Sequence, residues 1–224
     1  MTRLVLQGLR GGVGCTSLLA ALGYALRQLG ERVLLVDLCP DNLLRLHFNL
    51  PFADPAGWAT GQPWETALYE IFEGLYLLPY GETCHLAGEF PDKAIQSGLA
   101  GQVDWLLFDL PEKTAARHFQ ADLRLAVAMA DAGCHALLYQ QGLAGSQLLV
   151  VNQFDPASTL QRDVLAFWHS AFDPHLPLQV VHRDEAVPEA LACKAPAGHH
   201  APDSLAVQDI QTLATRCLMR RKNA

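Results

Sequence analysis

A chain of 224 residues, 50% of them hydrophobic, has enough apolar material for a substantial core, and a single domain over 1–224 is expected. Charged residues are only 17% of the total and the prolines and glycines are scattered, which excludes extensive disorder. The formal net charge of −7 argues against a dedicated nucleic-acid binder, which would normally carry a basic face.

In chain order, Leu4, Val5 and Leu6 form a short apolar run of the kind found in a buried strand. A glycine-rich turn follows. From Thr16 the apolar positions Leu18, Leu19, Ala21, Leu22, Ala25, Leu26 and Leu29 recur at helical spacing, closed by Gly30. Residues 32–37 are a continuous apolar run ending in Asp37, a pattern that fits a parallel strand buried on both faces. A turn over 38–42 and a short helix over 43–50 come next. Residues 51–64, with three prolines and two glycines, read as a surface loop with Phe52, Trp58 and Trp64 available at the surface. A short helix is predicted over 65–72 and a strand over 74–79, whereas the polar segment 81–98 gives no assignment. Strands are predicted over 103–109, 123–129, 147–152 and 178–181, the first ending in Asp109 and the third in Asn152. Helices are predicted over 132–141, 158–172, 185–193 and 205–218, with His199 and His200 in a loop. Strands alternating with helices imply an α/β three-layer sandwich: a mostly parallel sheet with helices on both faces.

The six cysteines show no close pairs and no C-x-x-C, so a reduced, cytoplasmic setting is expected rather than a disulfide scaffold. Cys84-His85 lacks a second ligand pair and does not make a zinc site. The apolar stretch at the N-terminus is too short for a secretory signal, and no run approaches a membrane span.

Residues 7–17 read Q-G-L-R-G-G-V-G-C-T-S between a strand and a helix, the context a phosphate-binding loop requires. Glycines let backbone N–H groups turn toward an anion, and the helix N-terminus adds partial positive charge. The bland alternative is a tight glycine turn with no ligand. Two departures from G-x-x-x-x-G-K-[ST] stand out: Leu9 at the first glycine and Cys15 at the lysine. Thr16 is placed to ligate magnesium. In open parallel sheets ligands sit beyond the carboxyl ends of strands, where Asp37, Asp109 and Asn152 fall. Strand-end Asp and Asn can also simply cap a following helix.

These residues resemble the MinD/ParA superfamily of P-loop ATPases over nearly the whole chain. Its deviant motif K-G-G-V-G-K-[ST]-[ST] is matched by Arg10-Gly11-Gly12-Val13-Gly14-Cys15-Thr16-Ser17. Its first switch resembles Asp37-Leu38-Cys39-Pro40-Asp41-Asn42, and its Walker B end resembles Asp109-Leu110-Pro111. Its adenine-contacting asparagine is matched by Asn152, and its base-covering loop by the segment containing Arg183 and Asp184. Within the superfamily, C-P-D-N-L-L-R-L at 39–46 and H-R-D-E-A at 182–186 most resemble a family encoded in bacterial cellulose-synthesis operons.

The resemblance implies ATP and magnesium as ligands, with Thr16, Asp37 and Asp109 around the ion. It also implies a homodimer sandwiching two nucleotides, with Arg10 in place of the lysine that reaches the partner's phosphates. A small companion subunit of the operon and the inner-membrane cellulose synthase complex with its cytoplasmic regulators are the implied partners, with peripheral recruitment to the membrane through them. The departures bear on chemistry. Cys39 stands where a carboxylate would orient the attacking water, and a neutral thiol cannot take its proton. Cys15 replaces a cation worth ~4 kcal/mol at ~4 Å and an effective dielectric of ~20. Binding can therefore survive while hydrolysis is absent or very slow. The rival reading is an active positioning ATPase cycling between monomer and dimer. A metal-delivery or iron–sulfur member of the fold would need clustered cysteines, which are lacking. For the C-terminal helix, a stripe of Val207, Ile210, Leu213, Ala214 and Cys217 ahead of Arg220-Arg221-Lys222 favours a core-packed helix with a solvated basic end over a membrane-binding one.

Overall fold

Eight strands join into one sheet in the computed structural model, which describes residues 1–82, 90–111, 119–143, 145–171 and 178–222. They are β1 (Thr2–Gly8), β2 (Val33–Asp37), β3 (Tyr69–Phe72), β4 (Leu75–Leu78), β5 (Trp105–Asp109), β6 (Leu123–Ala128), β7 (Leu148–Phe154) and β8 (Leu178–His182). Their order across the sheet is β3-β4-β2-β5-β1-β6-β7-β8. Every pairing is parallel except the antiparallel β3–β4 hairpin at one edge. The helices are α1 (Cys15–Gln28), α2 (Asp92–Gly98), α3 (Ala132–Gln141), α4 (Thr159–Ala171), α5 (Ala186–Ala192), α6 (Ala197–His200) and α7 (Leu205–Lys222).

The continuous apolar runs follow from burial on both faces. Leu4 and Leu6 of β1, Leu35 of β2 and Leu107 of β5 pack with α1 and α7 in one cluster. The alternate residues Val5, Leu34, Val36 and Phe108 meet Trp64, Ile95 and Leu99 in another. Each such side chain, fully removed from water, contributes about 1.5–3 kcal/mol before the ordering cost of the chain. Helix α7 lays Val207, Ile210, Leu213, Ala214 and Cys217 into the core, all at most 3% exposed, as its apolar stripe predicts. Its basic end is less solvated than expected: Arg221 bonds Glu31 and lies over the Trp105 ring, 5.5 Å from its centroid.

Three expectations need correction, and one stretch without an assignment gains one. Residues 65–72 are not one helix but a 3₁₀ turn (Trp64–Ala67) followed by the edge strand β3, which pairs back onto β4 through Gly74, a glycine at φ 76. Residues 92–98, left unassigned, form α2, which buries only Ile95 and so has no visible periodicity. His199 and His200 lie in the single-turn helix α6 rather than a loop. The surface aromatics of 51–64 reduce to Phe52: Trp64 is buried, and Trp58 is half-buried with its ring edge-on to Tyr80 and Phe90. That loop packs tightly, because Gly57 crosses Gly81 so closely that a Cβ on Gly57 would meet backbone at 2.2 Å. Cys84, His85, Phe172 and most of the unassigned stretch 81–89 lie outside the described residues.

Candidate functional site

The parallel register carries chemistry to one edge. Asp37 and Asp109 are register partners at the carboxyl ends of β2 and β5, while Leu6 of β1 pairs with Asp109 on its other side. Adjacent strands lie about 4.8 Å apart, so two carboxylates are stacked beside the start of the glycine loop. Both are essentially without solvent contact, at 0% and 2% exposure. Thr16, at the first turn of α1, donates its hydroxyl to Asp109 Oδ2 at 2.8 Å. Asp37 accepts the Cys39 N–H at 2.9 Å and the Leu44 N–H at 3.2 Å, one on each oxygen, so it anchors the turn that follows β2. The Trp58 indole N–H donates to the Asp37 carbonyl at 2.8 Å.

Burial, and for Asp37 also the neighbouring Asp109 charge, raises both carboxyls well above the ordinary range. Among the described residues no cationic side chain hydrogen-bonds either one. Burial, and then the same two negative charges, pushes the Cys39 thiol up to about 12, so it stays protonated.

The loop itself is shaped by two left-handed glycines, Gly12 at φ 77 and Gly14 at φ 84, the latter capping α1. Gly14 also lies against Asn152: a Cβ there would fall 2.7 Å from Asn152 Nδ2. Asn152 donates that amide to the Val13 carbonyl at 2.8 Å, which ties the end of β7 to the loop. The Cys15 side chain turns back beneath the loop, its Sγ 3.1 Å from where a Gly8 Cβ would stand, and packs on the core. Ser17 is 3.3 Å from His47 Nε2, a contact the sequence did not reveal. Burial lowers His47 to about 4, so it is neutral.

Beside the loop lies a cavity of about 410 Å³. Its walls include Gly14, Ser17, Asn152, Arg183, Asp184 and Ile210. The size suits a small-molecule ligand. Arg183 is exposed at its rim, 3.4 Å from Glu185. Asp184 caps two helices at once, accepting the Ala186 N–H at 3.0 Å and the Ala206 N–H at 3.3 Å.

Arg10 folds back onto its own chain. Its Nη2 donates to Asp131 Oδ2 at 2.5 Å and approaches Met129 Sδ at 3.6 Å, while Nη1 donates to the Gly11 carbonyl at 2.9 Å. Asp131 was missed by sequence reading: its place before a helix marks an N-cap, but nothing local signals a partner 121 residues away.

A strand, glycine loop and helix, set against paired strand-end acids on a mostly parallel sheet, define a P-loop nucleoside-triphosphatase fold of the MinD/ParA type. The fold matches MinD in its complex with MinC from Aquifex aeolicus (TM-score 0.77, 20% identity, 97% of this chain and 96% of that one). It also matches MinD complexed with Mg-ADP from Pyrococcus horikoshii OT3 (TM-score 0.71, 22% identity, 96% and 95%). The model of the family "Cellulose biosynthesis protein BcsQ" matches residues 1–218. The BcsQ proteins of Escherichia coli strain K12 and Salmonella typhi are 41% and 42% identical over 238 residues, covering 98% of this chain and 95% of each relative. The chain belongs to the BcsQ family of cellulose biosynthesis proteins.

Proposed function

We propose that the chain binds ATP with magnesium, dimerises face to face around two nucleotides, and serves cellulose synthesis and secretion as an assembly or regulatory subunit with little or no hydrolysis. The observation that supports this reading is a glycine-shaped turn at a helix N-terminus beside two strand-end acids, with thiols where the resemblance implies a lysine and a carboxylate. The left-handed loop glycines, the Thr16 bond to Asp109 and the Asp37–Asp109 register support it. The two residues that would drive turnover are thiols, one tucked under the loop and one held protonated.

The donor set fits magnesium: two buried carboxylates and a hydroxyl, all hard oxygen ligands, whose only positive influence among the described residues is the through-space attraction of the buried Arg45 on Asp37. Bound there, the ion would neutralise charge on the β- and γ-phosphates. Arg10, Gly11, Gly12, Val13, Gly14, Cys15, Thr16 and Ser17 would cradle the phosphates with backbone N–H groups. Asn152, Arg183 and Asp184 would border the base in the adjoining cavity. The partners of this reading are a second copy of the chain, a small companion subunit from the operon, and the inner-membrane synthase complex that recruits it. No described helix is long and apolar enough to cross a membrane.

The test is calorimetry with ATP, with and without magnesium, beside a phosphate-release assay. Tight magnesium-dependent binding with turnover far below ~1 per second is expected. Ordinary turnover would favour the cycling ATPase instead.

A further inference from the structure

We infer that Asp131 is an internal competitor for Arg10: it holds the arginine on its own subunit and sets the threshold for nucleotide-dependent dimerisation. The inference rests on the sandwich dimer proposed above. Arg10 cannot reach a partner's phosphates while its guanidinium is bonded to Asp131 and to the Gly11 carbonyl.

Two observations make this contact releasable rather than merely structural. First, Asp131 does not need Arg10. Its Oδ1 accepts the Cys134 N–H at 2.8 Å as the N-cap of α3, and that bond uses the other oxygen from the one facing Arg10. When Arg10 leaves, the carboxylate keeps a helix N-terminus as its partner, a favourable place for negative charge. Second, Arg10 rests in a place that suits a cation poorly. Its Nε lies 3.6 Å from where a Cβ of Gly133 would be, so the guanidinium lies across the first turn of α3, at the positive end of the helix. Asp131 is the group that makes that position tolerable. The pair is also partly open to water, with side chains 35% and 27% exposed, so screening keeps the hold modest. A polyphosphate from a second subunit carries more charge than one carboxylate and accepts both arms of the fork.

Asp131→Asn keeps the cap and removes the charge. It should tighten the magnesium-ATP dimer about three- to tenfold per contact, measured by sedimentation, and leave thermal unfolding without nucleotide nearly unchanged. In an Arg10→Ala background the same substitution should have no effect on dimerisation. A tightened dimer that depends on Arg10 supports the inference. An Asp131→Asn chain that dimerises as the wild type does, or tightens equally without Arg10, overturns it while leaving the sandwich dimer standing. A wild-type chain that stays monomeric with magnesium-ATP overturns the dimer reading and the competitor with it.

Discussion

Two charged constellations sit on the same edge of the sheet and are built in opposite ways. Asp37 and Asp109 are like-charged, fully buried, and hydrogen-bonded by no cation among the described residues, with Arg45 offering Asp37 only a through-space attraction. Arg10 and Asp131 are oppositely charged, half-open to solvent, and already satisfied. The first is costly until a cation arrives; the second is comfortable until a better anion arrives. If the chain binds nucleotide and metal as proposed, the first pair would gain a counter-charge and the second would exchange one.

The largest effect expected from breaking this contrast is at Arg10. Arg10→Ala should weaken the magnesium-ATP dimer by about 3–6 kcal/mol, from two symmetric charge-assisted contacts of roughly 1.5–3 kcal/mol each. Arg10→Lys should be milder, since it keeps the charge and loses the fork. Light scattering across a concentration series reads both.

Next comes the acid pair. The raised carboxyl pKa values mean that the folded chain binds more protons than the unfolded one above about pH 4. Without ligand, stability should therefore fall as pH rises through the raised pKa values, and magnesium should offset the loss. Asp109→Asn should raise stability without ligand at pH 8 by about 1–3 kcal/mol and abolish the magnesium dependence of ATP binding. Thermal melts against pH and magnesium check this; an unchanged magnesium response would remove Asp109 from the ion's site.

His47 gives a smaller effect of opposite sign. Its lowered folded pKa makes the unfolded chain the better proton acceptor between about 6.5 and 4, so stability should fall as pH drops through that window. His47→Gln should flatten the acid limb by about 1–2 kcal/mol at pH 5. A limb that keeps its shape would assign acid sensitivity to other groups.

The smallest is a control at the C-terminal end of α7. Arg221→Ala, which loses Glu31 and the Trp105 face, should cost about 1 kcal/mol or less and leave nucleotide binding and dimerisation untouched.

Much of this was legible in the sequence, because burial on both faces writes an unbroken apolar run. The strands ending in Asp37 and Asp109 were readable for that reason, and so was the edge they share, whereas the strand expected to end at Asn152 runs on to Phe154. The apolar stripe of α7 was equally plain. What sequence reading missed depends on distant partners. Residues 69–72 become a strand because β4 offers an edge to pair with, a non-local fact that the helix prediction over 65–72 could not contain. Trp64 is buried because Ile95 and Val5 wait beneath it. His47 and Asp131 are ordinary residues in their local contexts, and only the folded chain brings one to Ser17 and the other to Arg10.

The bond from Trp58 to the carbonyl of Asp37 has an optical consequence. Indole emission responds to the field and hydrogen bonding at the ring nitrogen, and this nitrogen is bonded to the residue that would meet the incoming ion. Trp105 and Trp168 are fully buried, and Trp64 packs in the core beside α2, so Trp58 is the fluorophore best placed to register the site. Titrating magnesium and ATP into the unlabelled chain should shift the emission, and the shift should vanish in Trp58→Phe. The chain carries its own dye, at the end of the strand where the chemistry would begin.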